Sequence, residues 1–195
     1  MPASSSSGAA PAAVPVGAIA ALALAALASG ISLRLTDALL PRLAAEFHIS
    51  LGQASLVITV FAVAYGLSQA LFGPLGDRHG KLRVITWACG ASAISSLLCG
   101  LAPGYQALLG ARLLAGATAA AVIPLSMAWI GDAVPYERRQ PVLARFLIGQ
   151  ITGFALGVWA GTRIKNSADF AIAGRSLPLV MVITTTFATW FGAET

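Results

Sequence analysis

The sequence predicts an all-α fold, a polytopic membrane bundle of about six transmembrane helices, and three observations carry that prediction. The chain is 57% hydrophobic and 10% charged, with a mean hydropathy of +0.82, where a soluble domain carries about 25% charged residues. Its charges cluster, leaving several uncharged windows of roughly 17 to 22 residues, each able to cross a hydrocarbon core of about 30 Å as a helix. Basic residues also crowd into some of the short connections and avoid others, which is how membrane helices set their orientation.

Taken in order, residues 1–13 (MPASSSSGAAPAA) are of low complexity and read as a disordered tail. No Lys or Arg precedes the first apolar run, so the basic n-region of a secretory signal is missing and that run is read as a retained span. The first span covers about Val14 to Leu33 and leads into a more polar turn-out, RLTDALLPRLAAEFHIS. The second covers Ala54 to Leu75, the third Val84 to about Ala102, and the fourth about Leu113 to Gly131, broken by Pro124. A fifth runs from Phe146 to about Thr162 and a sixth from Ser176 to Ala193.

The charges between these spans alternate. Arg78, Lys81 and Arg83 lie between spans two and three, and Arg138, Arg139 and Arg145 between four and five. The short turn APGY between three and four has none. The positive-inside rule therefore expects both basic loops and the N-terminus on the cytoplasmic side of the cell (inner) membrane. One stretch breaks the pattern: RIKNSADFAIAGRSLP, residues 163–178, places Arg163, Lys165 and Arg175 where the count of spans expects an outside loop.

Other function classes find little footing. The net charge of +5 serves membrane orientation, so no nucleic-acid partner is expected; the lipid bilayer is the expected surrounding. Cys89 and Cys99, ten residues apart in one apolar run, point to different helix faces and suit packing rather than a disulfide or metal pair. His48 and His79 both fall in loops, and no paired carboxylates or activated nucleophile appear, so an enzyme is not expected. No cofactor is expected.

The segment GPLGDRHGKLR (73–83) is the most specific signal. Gly73, Gly76 and Gly80 permit a tight reversal and close helix approach. Asp77 can accept from backbone N–H groups at a neighbouring helix N-terminus. Arg78, Lys81 or Arg83 can pair with an acid on a facing helix end, for which Asp132 is the candidate. Such a network could lock one conformation; the plainer reading is an ordinary loop with orientation charges. Two charges at the edges of apolar runs, Asp37 and Arg112, are candidates for a pair that responds to protonation, or for interfacial snorkelling. Tyr65, Gln69 and Gln150 are further candidates for a polar cavity. Gly149, Gly153, Gly157 and Gly161 recur every four residues on one helical face, which suits either tight packing or a surface on which helices slide.

With these residues named, residues 14–158 resemble the first five helices of the major facilitator superfamily. The loop resembles its signature G-x-L-a-D-r-x-G-r-k, matched at Gly73, Leu75, Asp77, Arg78, Gly80 and Lys81, with Leu82 in place of a second basic residue and Arg83 one position late. LLGARLLAGATAAAVIPLSMAWIGD resembles the fourth helix, with Arg112 and Gly116 as R-x-x-x-G, and GQITGFALGVWAG the glycine-rich fifth helix of the proton-coupled drug and sugar efflux branch. The resemblance implies small-molecule efflux driven by a proton gradient, from one half of a transporter. The missing half would come from a homodimer or a separate C-terminal half.

Residues 159–195 resemble a different family, the sodium:solute symporters, through ADFAIAGRSLP and ATWFGAET. In that family Ala188 and Phe191 match carbonyl positions of the sodium site, completed by a much later helix that this sequence does not carry. Thr184, Thr185 and Thr186 then read as packing hydroxyls, and sodium as the lesser candidate for a driving ion. A junction between Gly149 and Arg163 would explain the misplaced cations. Two further readings follow: a non-transporting fusion remnant acting as a helix-packing partner, and a sodium-coupled symporter fragment.

Overall fold

In this computed structural model, residues 16–163 are described. Among them are α1 (Val16–Glu46), α2 (Leu51–His79), α3 (Lys81–Gly100), α4 (Tyr105–Ala119), α5 (Val122–Ala133) and α6 (Tyr136–Arg163). The expected tail at 1–13, the sixth span, most of the 163–178 loop, Ala188 and Phe191 lie outside the described residues.

Six helices make five crossings, because α4 and α5 together form one apolar segment, Tyr105–Ala133. The break falls where Pro124 lacks the N–H that would bond the carbonyl one turn earlier. Ala120 and Ala121 keep right-handed helical backbone across it, so the crossing continues past the missing bond. Each of the five segments is long and apolar enough to cross a membrane.

Helix ends are where the structure departs from the hydropathy windows. α1 continues past Leu33 to Glu46, through the expected polar turn-out, and at 31 residues it is about 46 Å long, well beyond a hydrocarbon core. Leu35, Leu39 and Leu43 recur at four-residue spacing and are all buried, so one face still packs after the hydropathy falls. α2 begins at Leu51, ahead of the expected Ala54, because Ser50 and Gln53 close a capping box: the Gln53 N–H donates to Ser50 Oγ at 3.1 Å and the Ser50 N–H to Gln53 Oε1 at 3.0 Å. α6 starts at Tyr136, not Phe146, since Val142 and Phe146 are already buried against the core.

Chain reversal between α2 and α3 takes a single residue. Gly80 has φ +87°, which L side chains rarely adopt, so the loop motif needs glycine there. α6 packs chiefly along α1, α2 along α4, and α3 along both α4 and α5. One apolar core lies at the end holding Lys81 and Asp132, where Leu22, Ile85, Val122, Ile130 and Phe146 meet. A second lies toward the other end, around Val57, Phe61, Leu108 and Ala111. Ser92 Oγ donates to Thr118 Oγ1 at 3.1 Å between α3 and α4. The outer faces are apolar as well: Leu67 and Leu71 on α2 are 72% and 71% exposed, the surface a bilayer or a second membrane unit would cover.

Candidate functional site: a charged cavity and a basic-end ion pair

Gly116 sets the geometry of the cavity. A Cβ there would lie within 3.0 Å of the Phe61 backbone, so only glycine lets α4 lie against α2 at this height. One turn earlier, Arg112 is carried across the same contact. Its guanidinium sits 4.6 Å from the Phe61 ring centroid and its Nε donates to the Val57 carbonyl at 3.4 Å. Only 8% of Arg112 is exposed. An arginine at the membrane centre costs at least about 2.5–3.5 kcal/mol, and a desolvated cation–π contact returns up to about 2 kcal/mol.

Arg112 faces a cavity of about 350 Å³ between α1, α2, α4 and α6. α1 contributes Arg34 and Asp37, α2 Phe61 and Tyr65, α4 Arg112 and α6 Phe154. The ion pair expected between Asp37 and Arg112 is replaced by one within α1: Arg34 Nη1 to Asp37 Oδ2 at 2.9 Å. Residues three apart on one helix meet without any alignment between helices. Asp37 remains close enough to attract Arg112, and Arg34 also lies over Phe154, 5.3 Å from its ring centroid.

Of the three polar candidates, Tyr65 lines this cavity. Gln69 follows one turn after Tyr65, on the exposed face. Gln150 lies instead at the α1–α6 contact, its carbonyl oxygen 2.6 Å from where a Cβ on Gly30 would be. Arg34 was not singled out in the sequence, and its i, i+3 spacing from Asp37 is the signal that finds it. Phe61 and Phe154 carried no signal separating them from lipid-facing aromatics.

The glycines at 149, 153, 157 and 161 all face α1. A Cβ on any of them would fall within 3.0 Å of Ala23, Leu27, Ile31 or Ala38 respectively. α1 and α6 therefore meet backbone to backbone, close enough for Phe154 to reach the cavity wall.

At the other charged place, Lys81 Nζ on the first turn of α3 contacts Asp132 Oδ2 near the end of α5. Asp132 is 64% exposed and the Lys81 side chain 23%. Asp77 lies on the last turn of α2, not in a loop, and adds to the negative field around Lys81. Gly76 fits against Leu125 of α5, while Gly73, Leu75, Arg78 and Gly80 are exposed. No group of His, Cys, Asp or Glu that could hold a metal is found among the described residues.

The fold matches that of a bacterial homologue of the human lysosomal transporter Spinster, solved inward-facing and unoccupied, with a TM-score of 0.78 over 94% of this chain and 44% of that one at 17% identity. In sequence, the chain is 32% identical over 148 residues to the multidrug export protein EmrB of Haemophilus influenzae, covering 74% of this chain and 29% of that protein. It is 30% identical over 177 residues to EmrB of Escherichia coli K12, covering 90% and 35%. The chain thus spans about a third of the length of these relatives. The sequence profile of the Major Facilitator Superfamily matches residues 22–193. The chain is a multi-pass membrane protein that belongs to the Major Facilitator Superfamily of transporters.

Proposed function

We propose that these helices form one half of a proton-coupled exporter of small molecules, with the cavity around Arg112 as part of its substrate path. The observation that carries this reading is a buried arginine lining a cavity inside a membrane bundle. Ionisable groups there mark substrate or proton routes more often than scaffolding. The relatives named as multidrug export proteins support the efflux direction. Asp37, exchanging between Arg34 and a proton, is the coupling group in this reading, which favours a proton gradient over sodium. The Lys81–Asp132 pair and the glycine-lined α1–α6 contact supply a breakable tie and a close surface for helix movement.

Transport in this reading needs a second half, because substrate sits between two repeat-related units that rock about it. A homodimer or a separate C-terminal half would provide it. The test is efflux from a pump-deficient bacterium expressing the chain alone, then together with the C-terminal half of an EmrB relative. Restored efflux in either setting supports the reading. No efflux of any compound in a broad panel, with insertion verified, favours a helix-packing partner that does not transport.

The reading of 159–195 as symporter-derived rests on ADFAIAGRSLP and ATWFGAET alone. The superfamily match running on to residue 193 weighs against it. Orientation separates the two. A cysteine at Ser167, with Cys89 and Cys99 replaced, is expected to react with an impermeant thiol reagent on intact cells if the N-terminus is cytoplasmic and five crossings precede it. Labelling only after lysis would put the loop inside and end the half-exporter reading.

A further inference from the structure

We propose that a second copy of this chain docks on the face of α2 that borders the cavity, laying its α6 along a groove of small residues, with the two copies related by a two-fold axis along the membrane normal. This deepens the exporter reading and rests on it, by choosing between the two sources of a second half left open there.

α2 exposes two unlike faces. Leu56, Val63, Leu67 and Leu71 make one of them bulky and apolar, as contact with lipid favours. Thr59, Ala62, Gly66, Gln69 and Gly73, at helical spacings of three and four, make the other small and partly polar, and all five are exposed. Ala62 places this second face at the cavity edge. Nothing lies within 4 Å of where a Cβ on Gly66 or Gly73 would be, so the groove is open to another helix. Gln69 sets a carboxamide in it, a group that hydrocarbon solvates poorly.

α6 carries the matching ridge. Leu147, Ile151 and Val158 are exposed on the same helical stripe as Phe154, which lines the other edge of the cavity. α2 and α6 also have the smallest buried share of their apolar windows, 17% and 22%, against 44% or more in the other three crossings. The contact between Lys81 and Asp132 holds the end of α2 and the start of α6 on the same side of the bundle. A two-fold axis along the bundle therefore sets α2 of one copy antiparallel to α6 of the other, with Gly66 near the depth of Leu147, and uses both faces twice in a closed dimer. At the basic end Asp77 and Arg138 are exposed, and neither forms a salt bridge among the described residues. This register brings them together across the interface, the carboxylate beside the positive end of α6. The two cavities then face each other.

The experiment uses the 195-residue chain with Cys89 and Cys99 replaced by alanine, expressed in a bacterium as two differently tagged copies and oxidised with copper phenanthroline in membrane vesicles. A disulfide needs Cα atoms within about 7 Å. Gly73→Cys in the first copy and Gln140→Cys in the second are expected to give a disulfide-linked species carrying both tags. Leu71→Cys, at nearly the same depth on the bulky face, is expected to give none with Gln140→Cys. Gly66→Leu fills the groove where its own bundle leaves open space, and is expected to abolish the linked species. Asp77→Arg in the first copy, or Arg138→Asp in the second, is expected to lower the yield about threefold. Both together are expected to restore it, which a folding defect in either variant would not allow.

No doubly tagged species, the result expected if lipid or the chain's own residues 164–195 cover the face, overturns the inference. So do equal linking through Leu71→Cys, an unaltered yield in Gly66→Leu, or paired charge reversals that fail to restore the link. Efflux that needs the C-terminal half of an EmrB relative, with no link between copies, removes this inference and leaves the exporter reading standing. Linked copies without efflux do the reverse.

Discussion

The two charged regions of this molecule solve opposite problems. Lys81 and Asp132 meet at a helix end, between two different crossings, with Asp132 mostly in solvent. Arg112 is held inside the bundle, covered by Phe61 and facing a cavity it shares with Asp37 and Arg34. The first contact is cheap to make and cheap to break, because water replaces either partner. The second is costly to leave unmet, so the fold places glycine, an aromatic ring and a backbone carbonyl around it. Charge thus sits in a solvent-screened contact in one place and as a buried feature of a cavity wall in the other.

Steric variants break the comparison most strongly. Gly116→Ala puts a methyl against the Phe61 backbone and is expected to destabilise the bundle by about 1–3 kcal/mol, as overpacking does. It would be read as a lower thermal midpoint in detergent. Gly66, also helical but with open space where its Cβ would lie, provides the control. Gly66→Ala is expected to be neutral or to stabilise by up to about 1 kcal/mol, through helix propensity.

Next comes the ring under the arginine. Phe61→Leu keeps an apolar side chain and loses the cation–π contact, for an expected loss of about 0.5–2 kcal/mol, measured by the same thermal scan. An unchanged midpoint would mean that Arg112 is held by something other than the ring.

Exchange of charge at the basic end is expected to have a smaller effect. Lys81→Asp and Asp132→Lys should each lower stability slightly, and the double exchange should restore it. Raising salt from 0.05 to 0.5 M, which shortens the screening length from about 14 Å to about 4 Å, should erase the difference there and leave the effect of Phe61→Leu intact. Equal salt sensitivity at both places would collapse the distinction. Leu67→Ala, on the exposed face of α2, should fall within about 0.5 kcal/mol of the parent chain.

Much of this was legible in residue order. The first five apolar windows, Pro124 as the break in the fourth and the four-residue glycine spacing each depend on chemistry that one short segment carries by itself, whereas the sequence left Arg78, Lys81 and Arg83 equally open as partners of Asp132. Helix ends were not legible in the same way. Hydropathy reports how long a segment is in hydrocarbon terms, and α1 and α6 both run on through polar residues because one face remains buried.

The sequence by itself determined the solvent of this protein, its family and the residues that had to be special: Asp37, Arg112, Gly116 and the 73–83 motif. Tertiary structure decided what those residues touch. Asp37 lies nearer in space to Arg34 than a helix-to-helix pair would suggest, because i, i+3 geometry needs no packing to succeed. Arg112 lies over Phe61 and beside Phe154's cavity wall only because two glycine contacts, at 116 and along α6, bring four helices to that distance. Which helix faces meet is fixed by the sum of many weak contacts spread over the chain, and no local spacing encodes that sum.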